Sequence, residues 1–223
     1  MKAHRIQTAE KKQSQGLIVR WLGHCEYEPV WQQMKQFTEA RDLTCKDELW
    51  LLEHSPVYTL GQAGKSEHIL NPGDIPVIHC DRGGQVTYHG PGQLVVYLML
   101  NIQRLGIGVR QLVSAVENSI IACLASHGIE ACAQPSAPGV YVDGKKIASL
   151  GLRIRKGCSY HGLSLNTDMD LTPFLGINPC GYESLQVTDL RREGVTMSWE
   201  AAGKSLVPFL IRQLGYEKRE DVR

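Results

Sequence analysis

An α+β fold follows from two features of the 223-residue sequence: short β-rich runs outnumber helical stretches, and they cluster instead of alternating regularly with helices. No repeat, low-complexity tract or long linker divides the chain. A chain of this length can close around one core, so it reads as a polar tail over residues 1–16 and a single domain over residues 17–223.

Leu17 to Leu22 alternates as a strand does, and Glu28 to Arg41 carries Val30, Trp31, Met34 and Phe37 at helical spacing. Leu49 to Leu52, Val57 to Leu60 and Val77 to Cys80 are short apolar or β-rich runs separated by Pro56, Gly61, Pro72 and Gly73, which predicts three short strands. A glycine-dense loop, Arg82 to Gln93, then leads directly into an apolar strand, Leu94 to Leu100. From Val109 to His127 the residues Leu112, Val113, Val116, Ile120, Ile121 and Leu124 make one helical stripe that Gly128 is placed to cap. Val140 to Val142 and Lys146 to Arg155 flank Asp143-Gly144, the dipeptide of a tight hairpin turn. A second turn at Lys156-Gly157 leads into Ser159 to Leu165. Ser198 to Leu214 is helical in spacing, with Pro208 expected to kink or break it.

Hydrophobic residues at 43%, charged residues at 21% and a net charge of +1 describe an ordinary globular chain without the positive excess that nucleic acid or an anionic membrane would need. The first fifteen residues are polar and lack the pattern of a secretory signal, and no apolar run is long enough to span a bilayer. Seven scattered cysteines without a C-x-x-C pair fit reduced thiols, hence a cytoplasmic protein.

Several segments carry chemistry. Gly61 to Ser66 has two residues between its glycines where a phosphate-binding loop needs four, so it reads as a turn. Cys158 and His161 have a spacing metals can use, without a second pair to complete a tetrahedral site; no metal is expected. In Asn178-Pro-Cys-Gly-Tyr182, Pro179 and Gly181 shape the backbone around a thiol, a setting that suits a nucleophile; taken alone, one cysteine among seven is more often inert. Of Lys145 and Lys146, one is expected to face inward, where desolvation lowers its pKa and its ammonium form stabilises a thiolate; solvated turn lysines are the bland alternative. The glycines of the Arg82 loop let backbone approach a ligand, or simply end a hairpin. Arg153, Arg155 and Lys156 form a local basic cluster, solvated or facing an acidic partner.

Four of these segments taken together, Arg82 to Gln93, Gly144 to Gly151, Tyr160 to Asn166 and Asn178 to Tyr182, resemble in order and spacing the lipoyl(octanoyl) transferase family over roughly residues 43–218. The resemblance implies a biotin/lipoate ligase-type catalytic domain, a mixed sheet packed with helices. It implies a catalytic pair, Cys180 and Lys146, the latter because it precedes the apolar Ile147. Substrate contacts carried over are Arg82, Gly83, Gly84, Gln85, Val86, Thr87, Tyr88 and His89, then Ser149, Leu150 and Gly151, and Gly162, Leu163 and Ser164. The implied reaction moves an octanoyl group from acyl carrier protein, through a Cys180 thioester, onto a lysine of lipoyl domains, those of 2-oxoacid dehydrogenase complexes and the glycine cleavage H protein. Neither ATP nor a metal is expected. Three alternatives stand beside it: an ATP-dependent lipoate ligase, a lipoyl amidotransferase, and a non-catalytic acyl-binding module.

Overall fold

The computed structural model describes residues 16–42, 44–135, 137–179 and 185–222. Its main sheet has eight strands: β1 (Gly16–Cys25), β2 (Asp47–His54), β6 (Gln93–Met99), β7 (Cys132–Ala133), β8 (Gly139–Val142), β9 (Lys145–Arg155), β10 (Cys158–Asn166) and β11 (Lys218–Val222). Their spatial order is β11-β1-β2-β6-β10-β9-β8-β7. The sheet is mixed, with β1 parallel to both β11 and β2 and the remaining neighbours antiparallel. A second sheet of three strands places β3 (Val57–Leu60) between β4 (Val77–His79) and β5 (Val86–His89).

The continuous apolar runs of β2 and β6 have a physical reason. Successive side chains of a strand point to opposite faces, and both faces of this sheet are covered. Leu49, Leu51, Leu94, Val96 and Leu98 join one cluster with helices α3 (Val109–Ala125) and α4 (Trp199–Leu214). Trp50, Leu52, Val95, Tyr97 and Met99 join the other with Val30 and Met34 of helix α1 (Tyr27–Ala40). One βαβ unit, β1-α1-β2, with β11 added in parallel at the edge, thus adjoins a run of antiparallel strands from β2 to β7.

Most predicted elements are present within a residue or two. The Asp143-Gly144 and Lys156-Gly157 turns carry positive φ at both central residues (47° and 78°, 50° and 74°), as tight hairpins require. Four differences have causes. The stretch read as an unbroken loop from Arg82 holds β5, because Val86-Thr-Tyr-His is itself β-prone and pairs with β3. Pro208 neither breaks nor ends α4; the carbonyl of Lys204, which loses its donor, lies on the exposed face and can reach water. The short helix α2 (Ile102–Leu105) and strand β11 have too few apolar residues to show a period, and the charged residues of β11 suit a sheet edge. No helix among the described residues is long and apolar enough to cross a membrane.

Asp47 fastens one end of this scaffold. Its side chain is fully buried, and Oδ1 accepts from Arg41 Nη2 at 2.6 Å, Arg104 Nη2 at 2.8 Å and the Asn101 N–H at 2.7 Å, while Oδ2 accepts from the Tyr216 hydroxyl at 2.6 Å. One carboxylate therefore joins α1, β2, α2 and the chain after α4. Asp47→Ala leaves the buried Arg41 guanidinium without its counter-charge, and urea unfolding should show a loss of about 3–5 kcal/mol.

Candidate active site

The hairpin of β8 and β9 decides which lysine turns inward. Lys145 is exposed and Lys146 is 2% exposed. Tyr141 pairs with Lys146 but Val140 pairs with Ala148, so Ile147 is an extra residue in β9, and such a bulge re-aims the side chains beside it. Lys146 Nζ donates to the Pro138 carbonyl at 3.1 Å and lies 5.2 Å from the centre of the Tyr141 ring. Its main chain is held on the other side as well. The Lys146 N–H donates to Gln186 O at 2.8 Å, and the Thr188 N–H donates to Lys146 O at 3.0 Å, a parallel bridge between Lys146 and Val187.

Cys180 lies outside the described residues, but both flanks of its segment are fixed. Before it, Ile177 bridges Ile69 and the Asn178 N–H donates to His68 O at 2.8 Å. After it, the chain returns against Lys146. Asn178, Pro179, Leu185, Gln186 and Lys145 share the wall of one groove.

Lys146 also borders a cavity of about 280 Å³ walled by Val109 and Val113 of α3, Pro138, and Leu150 and Leu152 of β9. Gly84, Gln85, Leu150 and Gly151 separate it from a narrower cavity of about 50 Å³ reaching Tyr27, Tyr97, His89 and His161. All the carried-over substrate residues but Tyr88 gather around these two spaces. Ser149, Leu150 and Gly151 stand directly opposite Ser164, Leu163 and Gly162 across the β9–β10 ladder. Gly162 permits the close packing beneath, since a Cβ there would lie 2.0 Å from the Val96 carbonyl oxygen. Gly83 ties the Arg82 loop over β9 by donating its N–H to Leu152 O at 3.0 Å.

In β5, Val86, Thr87 and His89 border the narrow cavity, as Gln85 does just before the strand. Tyr88 borders neither space; the strand alternation turns it toward Tyr58 and Phe174, each ring 5.5 Å away. Arg82 lines the narrow cavity, but its guanidinium is engaged by Thr59 O, Thr59 Oγ1 and Gly83 O, so it braces the loop. Cys158 and His161, three apart on a strand, face opposite ways: Cys158 lies toward Arg41 and Asp47, and His161 bonds Asp81.

Beside the narrow cavity, His54 and Asp81 had no sequence signal beyond being polar in apolar surroundings, and the partners of His89 and His161 had none. His54 Nε2 meets the Tyr97 hydroxyl at 2.6 Å and its Nδ1 meets Cys25 O at 2.8 Å. His89 Nδ1 meets Gln93 Oε1 at 2.7 Å. Asp81 receives Trp31 Nε1 at 2.8 Å, His161 Nε2 at 2.9 Å and the Tyr160 hydroxyl. Burial alone pushes the Asp81 carboxyl up, but those three donors together hold it well below the usual carboxylate range. Burial pushes the histidines down, His54 to about 4 and His89, with the charge of His54 adding to the effect, to about 3. His161 is lowered for the same first cause, although Asp81 opposes it. These histidines are therefore uncharged near neutral pH, and Arg82 is the charged residue of the narrow cavity's wall.

Comparison with known proteins bears on this geometry. The family described as the lipoyl protein ligase A/B catalytic domain matches residues 26–210, beginning earlier than the residue-43 limit drawn from motifs alone. An octanoyltransferase of Shewanella loihica is 60% identical over 204 residues, covering 92% of this chain and 94% of that one. One from a Marinomonas species is 61% identical, covering 90% and 94%, and one from Vibrio campbellii 56%, covering 92% and 93%. Among solved structures, a bi-partite lipoate protein ligase from Thermoplasma acidophilum superposes with a TM-score of 0.74 at 14% identity, covering 95% of this chain and 88% of that one. A lipoate-protein ligase A bound with ATP gives 0.67 at 16%, covering 95% and 90%. A biotin protein ligase from Aquifex aeolicus gives 0.55 at 14%, covering 90% and 70%. The mixed sheet packed with helices is thus the fold of lipoate and biotin ligases.

The neutral histidines set a pH dependence of stability. Below about pH 6.5 the unfolded chain binds protons that buried His54 and His89 refuse, so stability falls as pH falls, down to their folded values. Between pH 7 and pH 5 each should cost on the order of 2 kcal/mol in urea unfolding. His89→Gln should remove its share of that slope, and a flat profile in the wild type would contradict neutral buried histidines.

Proposed function

The chain belongs to the lipoyl protein ligase A/B catalytic domain family, and on that premise we propose that it transfers an octanoyl group from acyl carrier protein, through Cys180, to a lysine amine of lipoyl domains. The observation that carries the reading is the bridge between Lys146 and Val187: it sets a buried ammonium group against the return of the segment that bears the thiol. The names of the relatives agree with the choice of acyl group.

In the first half-reaction the Cys180 thiolate attacks the carbonyl carbon of the octanoyl thioester. A new C–S bond forms, the bond to the phosphopantetheine sulfur breaks, and Lys146 gives its proton to that leaving thiolate. In the second, the lysine amine of the lipoyl domain attacks the Cys180 thioester. Neutral Lys146 takes a proton from the attacking nitrogen, the C–S bond breaks, and the thiolate and ammonium are restored. Exchange of one thioester for another is nearly balanced in energy and conversion to an amide is downhill, so neither ATP nor a metal enters the cycle. The cavity bounded by Val109, Val113, Leu150 and Leu152 offers the chain an apolar wall. Seven scattered cysteines without a C-x-x-C pair support a cytoplasmic setting for the reaction.

The acidic carrier protein is the partner for the basic cluster on β9 and the following turn. Glu39 of α1 already pairs with Arg155 and, at 2.6 Å, with Lys156, while Arg153 meets Gln62 Oε1 at 2.5 Å. Three cations against one carboxylate leave the cluster a net charge of +2. Arg153→Glu together with Lys156→Glu should raise KM for the octanoyl carrier in a salt-sensitive way at little cost in kcat, and an unchanged KM removes this docking site.

Intact mass after mixing with octanoyl-acyl carrier protein, without nucleotide, tests the reaction. The expected result is an octanoyl adduct that hydroxylamine removes and that Cys180→Ser does not form; Lys146→Met should slow both half-reactions by about 100-fold or more. A competent donor that leaves no adduct, with pyrophosphate released from ATP and free acid, would instead make this a ligase. A lipoyl protein preferred as donor over the carrier would make it an amidotransferase.

A further inference from the structure

Glu117 interrupts the apolar face of α3, is 8% exposed, and takes no part in the cycle above. Its Oε1 accepts from the backbone N–H of Gly139 at 2.9 Å. That N–H belongs to the same peptide unit as the Pro138 carbonyl, and the Pro138 oxygen is the acceptor for Lys146 Nζ. No peptide bond among the described residues is cis, so N–H and C=O of this unit point in opposite directions. One peptide therefore stands between a carboxylate on its donor side and an ammonium on its acceptor side.

The arrangement has a chemical consequence. A carboxylate drawing on the N–H pushes electron density toward the carbonyl oxygen, and hydrogen bonds in series strengthen one another where water is scarce. A carbonyl polarised in this way is a stronger acceptor for an ammonium than for a neutral amine. The surroundings keep the path clear. Gly139 has a φ of +144°, and a Cβ there would lie 2.7 Å from Lys146 Cε and 3.1 Å from its Nζ. No other residue type could hold this peptide against the lysine.

We propose that Glu117 is a positioning residue which, through the Pro138–Gly139 peptide, aims the Lys146 ammonium and raises its proton affinity, so that Lys146 is charged when the nucleophile must be a thiolate. The inference rests on the proposed role of Lys146. Burial drives that amine toward neutrality, and Glu117 opposes the drive from a position where its own carboxylate cannot compete for the proton by direct contact through the intervening peptide.

Among the described residues, other titratable groups on elements packed against Lys146 have engagements of their own. Tyr141 on β8 offers its ring face and donates its hydroxyl to Ala137 O. On the return segment, Asp189 Oδ1 accepts the Arg192 N–H and Glu193 Oε1 accepts the Thr188 hydroxyl. His161 on β10 is held by Asp81, and Lys145 projects to solvent.

The test is Glu117→Gln, which keeps the size and an oxygen for the Gly139 N–H but removes the charge. The midpoint of Lys146 is read by NMR of lysine labelled with ¹³C at Cε, assigned by its disappearance in Lys146→Met. The expected result is a midpoint lower by on the order of one pH unit, with the lysine limb of the kcat/KM profile for octanoyl transfer moving in the same direction. An unmoved midpoint in a folded Glu117→Gln protein, whatever its melting temperature, would show a merely structural carboxylate. Should that variant fail to fold, the wild type still decides: the Gly139 amide shift should titrate with Lys146 and become flat in Lys146→Met, and an amide indifferent to the charge of Lys146 overturns the relay. A midpoint that moves in a protein showing no octanoyl transfer would leave the relay standing and sink the proposed reaction.

Discussion

The main chain of Lys146 carries the site. In β9 it belongs to the hairpin with β8, and on its other side it bonds Gln186 and Thr188, residues about forty positions further along the sequence. This cross-connection brings the return from the Asn178 segment against the only inward lysine of the turn pair. It also fixes the side chain in a costly position. Burying an ammonium group forfeits several kcal/mol of hydration, and among the described residues the Pro138 carbonyl and the face of Tyr141 contribute to the compensation.

Everything else in the scaffold serves to make that position rigid. The sheet is covered on both faces, so β9 and β10 cannot slide without exposing the residues that cluster with α3 and α4. The Ser149 to Gly151 stretch and the Gly162 to Ser164 stretch meet in register because the short Lys156-Gly157 turn allows one pairing only. The smaller sheet then lays the Arg82 loop over Leu152, with Arg82 spending its guanidinium on Thr59. A charged residue in a glycine-rich loop invites reading as an anion contact, whereas this one holds the loop in place.

What the sequence made legible was what repeats. Continuous apolar runs marked the doubly covered strands, the stripe from Leu112 to Leu124 marked α3, and two dipeptides with positive φ marked the hairpins that set the register. The apolar residues after the Lys145-Lys146 pair marked one of the two as inward, and the family resemblance singled out Lys146. Short elements escaped, β5 among them, and with β5 went the alternation that turns Tyr88 away from both cavities. The ring of His54, His89, Tyr97 and His161 was invisible because its members come from β2, β5, β6 and β10, and no local period records a meeting of four strands. Glu117 left a faint signal, a charge on an apolar stripe. Its partner is a backbone amide, which no pattern of side chains can reveal.

Superposition on lipoate and biotin ligases at 14–16% identity, one of them holding ATP and another biotin and ATP, speaks to the sheet and its helices and not to chemistry. A ligase must make an acyl group reactive at the cost of a nucleotide; a transferase receives it reactive and must keep it so. The second task needs a thiol that is ionised at neutral pH and a proton donor that waits for the leaving sulfur. Besides Arg82 and Lys146, uncharged histidines and apolar side chains make up much of the two cavity walls, which strengthens the charge interactions beside them. In the proposed cycle the protonation of Lys146 answers to the groups that reach it, and a carboxylate one peptide away is placed to act on it more strongly than a residue on the rim.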